Sequence, residues 1–76
     1  MSRYKKNQEN KAGRRSPSFC EVCGEREIIC FDHDHSTGKF RGWICKRCNF
    51  ILGLSKDSPS LLRQLAGYLE RGIGAL

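Results

Sequence analysis

Apolar residues are nearly absent from the first eighteen positions, and where they occur they follow no period; Met1 to Ser18 holds one aromatic, Tyr4, and ends in Gly-Arg-Arg-Ser-Pro-Ser. Such a stretch predicts a flexible arm rather than a packed element. The pattern changes at Phe19. Phe19-Cys20-Glu21-Val22-Cys23-Gly24 reads as a tight knuckle whose closing glycine takes unusual backbone angles. Arg26 to His33, with Ile28, Ile29 and Phe31, predicts a strand, and Phe40 to Ile44 a second. Asp34-His35-Ser36-Thr37-Gly38-Lys39 between them is turn chemistry, so the two strands should form a hairpin.

Cys45 to Leu54 lacks proline and clusters Phe50, Ile51, Leu52 and Leu54, which predicts a short helix ended by Gly53 and Ser55. Ser58-Pro59 then opens a second helix, with Ser as N-cap and Pro at the first helical position. Leu61, Leu62, Leu65, Ala66, Tyr68 and Leu69 form its apolar stripe, expected to cover the thin core of the same chain, and Gly72 is its stop signal. The expectation is a small α+β fold, stabilised by zinc: a hairpin followed by a helix, then a C-terminal helix. Its organisation would be a basic arm over residues 1–18 and a stapled domain over residues 19–76.

Length sharpens this picture. A chain of 76 residues with 38% hydrophobic positions needs a staple. Five cysteines offer disulfides or a metal site. Their number is odd, and no apolar stretch resembles a signal-peptide core or a membrane span, so a reducing, cytoplasmic setting and a metal are expected. Two Cys-x-x-Cys pairs, Cys20/Cys23 and Cys45/Cys48, supply the four soft ligands of a tetrahedral zinc, with residues 24–44 as an insert slightly longer than the usual roughly 15–20. A Cys20/Cys23/His33/His35 set fails, because His-x-His is too tight and two cysteines would be orphaned. Cys30 has no Cys-x-x-Cys partner and reads as a buried free thiol. Four thiolates leave no open position, so this zinc would be structural.

The formal charge of +6 is uneven: residues 1–18 carry Arg3, Lys5, Lys6, Lys11, Arg14 and Arg15 against Glu9, and the remainder is nearly balanced. A basic arm of this kind suits a polyanion, most often nucleic acid.

Both histidines lie in Asp32-His33-Asp34-His35, between the cysteine pairs, and Asn49 directly follows Cys48. Asp32 offers a hard oxygen suited to Mg2+ or Mn2+, and the amide oxygen of Asn49 a second. The imidazole of His33 can take a proton from an attacking water. These groups favour an enzyme over two alternatives, a non-catalytic zinc-knuckle protein that binds nucleic acid and a zinc-dependent protein-interaction module, neither of which requires them.

The series Cys-x-x-Cys, then Asp-His-Asp-His-x-Thr-Gly-Lys-x-Arg-Gly-x-x-Cys-x-x-Cys-Asn-x-x-Leu-Gly, running from Cys20 to Gly53, resembles the recombination endonuclease VII family of phage-associated enzymes. These belong to the wider His-Asn-His (HNH), ββα-metal nucleases. The Asp57-Ser58-Pro59-Ser60-Leu61-Leu62 helix is similar to the family's usual ending. The resemblance implies a divalent cation on Asp32 and Asn49, His33 as general base and His35 as a helper near the phosphate. It further implies structural zinc on Cys20, Cys23, Cys45 and Cys48, DNA as substrate, and a phage-infected or prophage-bearing bacterial host. Arg41, Lys39, Lys46 and Arg47 lie between the motifs as candidates for flanking phosphates, joined by Arg14 and Arg15 of the arm. Two features depart from the family: the Lys/Arg arm stands in place of a helical lead-in, and a long dimerising extension is lacking. The expected product is therefore a nick, made by a monomer or weak homodimer.

Overall fold

The computed structural model describes residues 3–75. It contains α1 (Arg3–Ala12), β1 (Ile29–His33), β2 (Phe40–Cys45), α2 (Lys46–Leu54) and α3 (Pro59–Ala75). The hairpin, the short helix and the C-terminal helix all stand where the sequence predicts them, but α3 runs through Gly72, its expected stop, to Ala75. The arm differs. Ten of its residues are helical, because Arg3 to Ala12 contains no Gly or Pro and consists mostly of Arg, Lys, Gln, Glu and Ala, which favour a helix by propensity. Being polar on every side, α1 leaves no periodic trace. Gly13, at φ 79°, closes it by donating to the Glu9 carbonyl at 3.0 Å. A helical lead-in is therefore present where an unstructured arm was expected.

β1 and β2 pair antiparallel, Ile29 opposite Cys45 and Phe31 opposite Trp43, with an irregularity after Asp32. Asp32 pairs with Gly42 but His33 with Phe40, so Arg41 is an extra, bulged residue on β2. The loop between the strands is fixed by Asp34, whose Oδ1 accepts from the amides of Ser36 at 2.7 Å and Thr37 at 3.1 Å. These two bonds, Thr37 first, hold the Asp34 carboxyl below its ordinary range.

Two small packing centres hold the hairpin. Cys20, Ile44 and Cys45 are buried together, with Ile29, Cys48 and Leu52 around them. Trp43 is buried against Phe31, edge-on at 5.7 Å, and Phe40, also 5.7 Å away. Glu21 ties the first knuckle to β2: its amide donates to the Trp43 carbonyl at 2.9 Å, and its Oε1 accepts from the Trp43 amide at 3.0 Å. That approach requires Gly42, since a Cβ there would lie 3.0 Å from Glu21 Oε1.

α3 does not serve the core as expected. Leu65 is 49% exposed and Leu69 64%, with Leu61 and Tyr68 also open to solvent. The helix runs away from the hairpin in a molecule of 51 × 28 × 15 Å, so its apolar stripe meets little of its own chain. Of the apolar tail, Leu76 lies outside the described residues. No helix among them is long and apolar enough to cross a membrane.

Candidate metal centre and active site

The two knuckles converge. The sulfurs of Cys20, Cys23, Cys45 and Cys48 lie within 4.8 Å of one another. Each pair builds its corner in the same way: amides of Val22 and Cys23 donate to Cys20 Sγ at 3.3 and 3.4 Å, and the Cys48 amide donates to Cys45 Sγ at 3.4 Å. Cys45 thereby caps α2 with its own sulfur. Cys23 and Cys45 are 3.8 Å apart, the edge of a tetrahedron with metal–sulfur bonds of about 2.3 Å.

The titration of these thiols points the same way. Burial pushes Cys20 up, but hydrogen bonds with the backbone of Cys23, Cys45 and Val22 outweigh it and bring the thiol down to about 6. Burial, followed by the neighbouring sulfurs, pushes Cys48 up to about 12. One thiolate forms readily and discourages the others; a cation at the centre of the four removes that conflict. The donor set thus fits zinc. Cys30 stands apart from the four, free and half-buried rather than fully buried.

A second polar centre lies at the far end of the hairpin. Asp32 is buried, 5% exposed, and takes Arg41 on both oxygens, Nε to Oδ2 at 2.8 Å and Nη2 to Oδ1 at 3.1 Å. The bulge on β2 is what places Arg41 for this two-point contact. Arg41 reaches further, to Asp57 Oδ1 at 3.2 Å, and Asp57 Oδ2 lies 2.6 Å from His35 Nδ1. The guanidinium is held well above its ordinary value, first by the Asp32 bonds, against burial, and then by Asp57. His33 is exposed on β1, its ring 5.0 Å from that of His35. Alternation along β1 separates Asp32 from His33, and the register shift opposite the Arg41 bulge falls between them.

Asn49 is half-buried on the first turn of α2, immediately after Cys48, and no hydrogen bond among the described residues engages its amide. Each Asp32 oxygen keeps a lone pair beyond the one Arg41 takes. Asp32 and Asn49 therefore remain competent as hard oxygen donors. Among the described residues, no hydrogen bond joins them directly.

The basic candidates divide. Lys39 and Lys46 are exposed, at the end of the loop and the start of α2. Arg47 is engaged by the metal centre, 3.8 Å from Cys23 Sγ and 3.7 Å from Glu27. Arg14 bonds Glu21 at 2.7 Å and stacks 5.1 Å over Phe40, while Arg15 shares an open cleft with Lys6, Glu9 and Asn10. Asp57 and Glu21 escape notice in the sequence. Asp57 precedes Ser58-Pro59 and so resembles helix-start chemistry, and nothing local marks Glu21 as the partner of β2.

The sequence pattern described as Recombination endonuclease VII matches residues 2–71. The Gene 59 protein of Mycobacterium phage D29 is 39% identical over 57 residues, which cover 68% of this chain and 34% of that protein. The Gene 59 protein of Mycobacterium phage L5 is 34% identical over 55 residues, 66% of this chain and 34% of the relative. Among solved structures, the ββα-Me type II restriction endonuclease Hpy99I superposes with a TM-score of 0.70 at 30% identity, covering 93% of this chain and 42% of the enzyme. The chain spans about a third of the length of the phage relatives it matches.

Proposed function

The chain belongs to the recombination endonuclease VII family, and we propose that it is a divalent-metal-dependent DNA endonuclease of the HNH type. The observation that carries this reading is the buried Asp32, gripped by Arg41, beside exposed His33 and His35 on a hairpin braced by the cysteine centre. In this reading zinc occupies the four cysteines and does no chemistry. Asp32 and Asn49 hold Mg2+ or Mn2+, which when bound neutralises charge on the scissile phosphate and the leaving 3′-oxygen. His33, open to solvent, takes a proton from the attacking water, leaving a 5′-phosphate. Protonated His35, with one N–H given to Asp57, donates to a phosphate oxygen with the other. Arg41 acts on Asp32 rather than on DNA, while Lys39, Lys46, Arg14, Arg15 and Arg47 supply positive charge along the flanking backbone.

One such site attacks one phosphodiester, so the expected product is a nick. The exposed stripe of α3 is the surface on which two copies would pair into a weak homodimer. The phage relatives support action in a bacterial host cytoplasm. The test is supercoiled plasmid incubated with Mg2+ or Mn2+, with and without EDTA. Open circles that form only with the cation, well before linear molecules, support the proposal; retention of DNA without any cutting would leave only the nucleic-acid-binding alternative.

A further inference from the structure

We infer that Asp57 is a positioning residue for this reaction, fixing the ring of His35 and, through Arg41, the seat of Asp32. The inference rests on the nuclease reading above. Asp57 comes from neither strand of the hairpin but from the turn that ends α2, and its one carboxylate bridges the hairpin loop and β2: Oδ2 to His35 Nδ1 at 2.6 Å and Oδ1 to Arg41 Nη2 at 3.2 Å. Because Arg41 in turn holds both oxygens of Asp32, a continuous chain of four side chains, His35, Asp57, Arg41 and Asp32, links the loop to the buried acid of β1.

The simpler role, capping α3, is already filled. The Ser58 hydroxyl accepts from the Leu61 amide at 3.1 Å, which is the N-cap bond, and the Ser58 carbonyl accepts from Leu62 at 3.1 Å. The Asp57 carboxylate points instead to the hairpin. Its backbone is unusual as well. The Lys56 amide donates to the Gly53 carbonyl at 3.1 Å and the Asp57 amide to the Leu52 carbonyl at 2.9 Å, the paired bonds of a Schellman ending. Glycine normally takes the left-handed position there, yet Lys56 and Asp57 both sit in that region, at φ 55° and 56°. A conformation disfavoured for side-chain-bearing residues is kept where it aims a carboxylate at two functional groups.

The consequence for His35 follows from hydrogen-bond chemistry. The His35 bond, against burial and with help from Arg41, holds the Asp57 carboxyl below its ordinary range, so Asp57 is an acceptor only. His35 must then carry a hydrogen on Nδ1, so only the doubly protonated ring, its charge facing the Asp57 carboxylate, has an Nε2–H to give to the phosphate.

Asp57→Asn keeps the size and tolerates the left-handed backbone, so zinc content and thermal unfolding should match the wild type. Its kcat for plasmid nicking should fall about 10–100-fold, the range seen when such supporting partners are removed, with KM for DNA unchanged within about twofold. In 15N spectra the His35 ring should shift toward the Nε2–H tautomer while the His33 ring stays as it was. Wild-type kcat in the variant, or unchanged His35 ring nitrogens, would overturn the inference while leaving the nuclease reading intact. A wild-type protein that cuts nothing with either cation would remove that reading, and with it this role.

Discussion

The two polar centres of this small protein are built on opposite principles. The cysteine centre is local and closed: each knuckle makes its own N–H···S bonds within three residues, and the four sulfurs enclose one point. The acid–base centre is distributed and open. It joins Asp32, Arg41, Asp57 and the exposed His35, from both strands, their loop and the end of α2. A closed site of four thiolates suits a metal that carries the fold, whereas an exposed histidine pair beside hard oxygens suits one that meets substrate. Stability should therefore follow the first centre and activity the second.

The largest effect should come from breaking the first. With so few buried apolar residues, zinc binding, about 10–16 kcal/mol in zinc-finger peptides, should supply much of the folding free energy. Cys45→Ser should abolish the cooperative thermal transition in circular dichroism and lose the zinc. A folded Cys45→Ser protein without metal would break the comparison.

Next come substitutions in the second centre, which should silence chemistry and spare the fold. His33→Ala and Asn49→Ala should each lower nicking by at least about 10²-fold, at unchanged zinc content and DNA affinity. Cutting at the wild-type rate by His33→Ala would show the general base to be another group. Arg41→Lys keeps the charge but not the two-point contact, so the Mg2+ concentration for half-maximal nicking should rise about 10–100-fold.

Weaker effects should lie outside both centres. Lys6, Lys11 and Arg15 are exposed, and replacing all three with Ala should reduce the log–log salt slope of DNA binding by up to about 0.9 for each phosphate these side chains neutralise. An unchanged slope would make the helical arm merely solubilising. The smallest change is expected from Leu65→Gln on α3. That side chain is already half exposed, so stability should move by no more than about 0.5 kcal/mol. A larger drop in stability, growing with protein concentration in the wild type, would reveal a paired helix.

The contrast between the centres also explains what the sequence discloses. Cys20/Cys23 and Cys45/Cys48 are legible because a knuckle's geometry is written in its own spacing. The hairpin, the Cys45-capped helix and the Ser58-Pro59 helix start are local in the same sense. Arg41's hold on Asp32 is not, since it depends on a register shift that no single strand announces. Asp57 stands 22 residues from His35 and carries the disguise of a helix lead-in. α1 forms without any apolar face to betray it, and the stripe of α3 tells which side is apolar but not what covers it.

The proposed division of labour between two metals is tested most directly by supplying them separately. Protein carrying one zinc per chain and freed of other cations should leave supercoiled plasmid intact, then nick it when Mg2+ is added, with zinc content constant throughout. Cleavage by the zinc-loaded protein before any Mg2+ is added, rising and falling with zinc occupancy, would contradict the account.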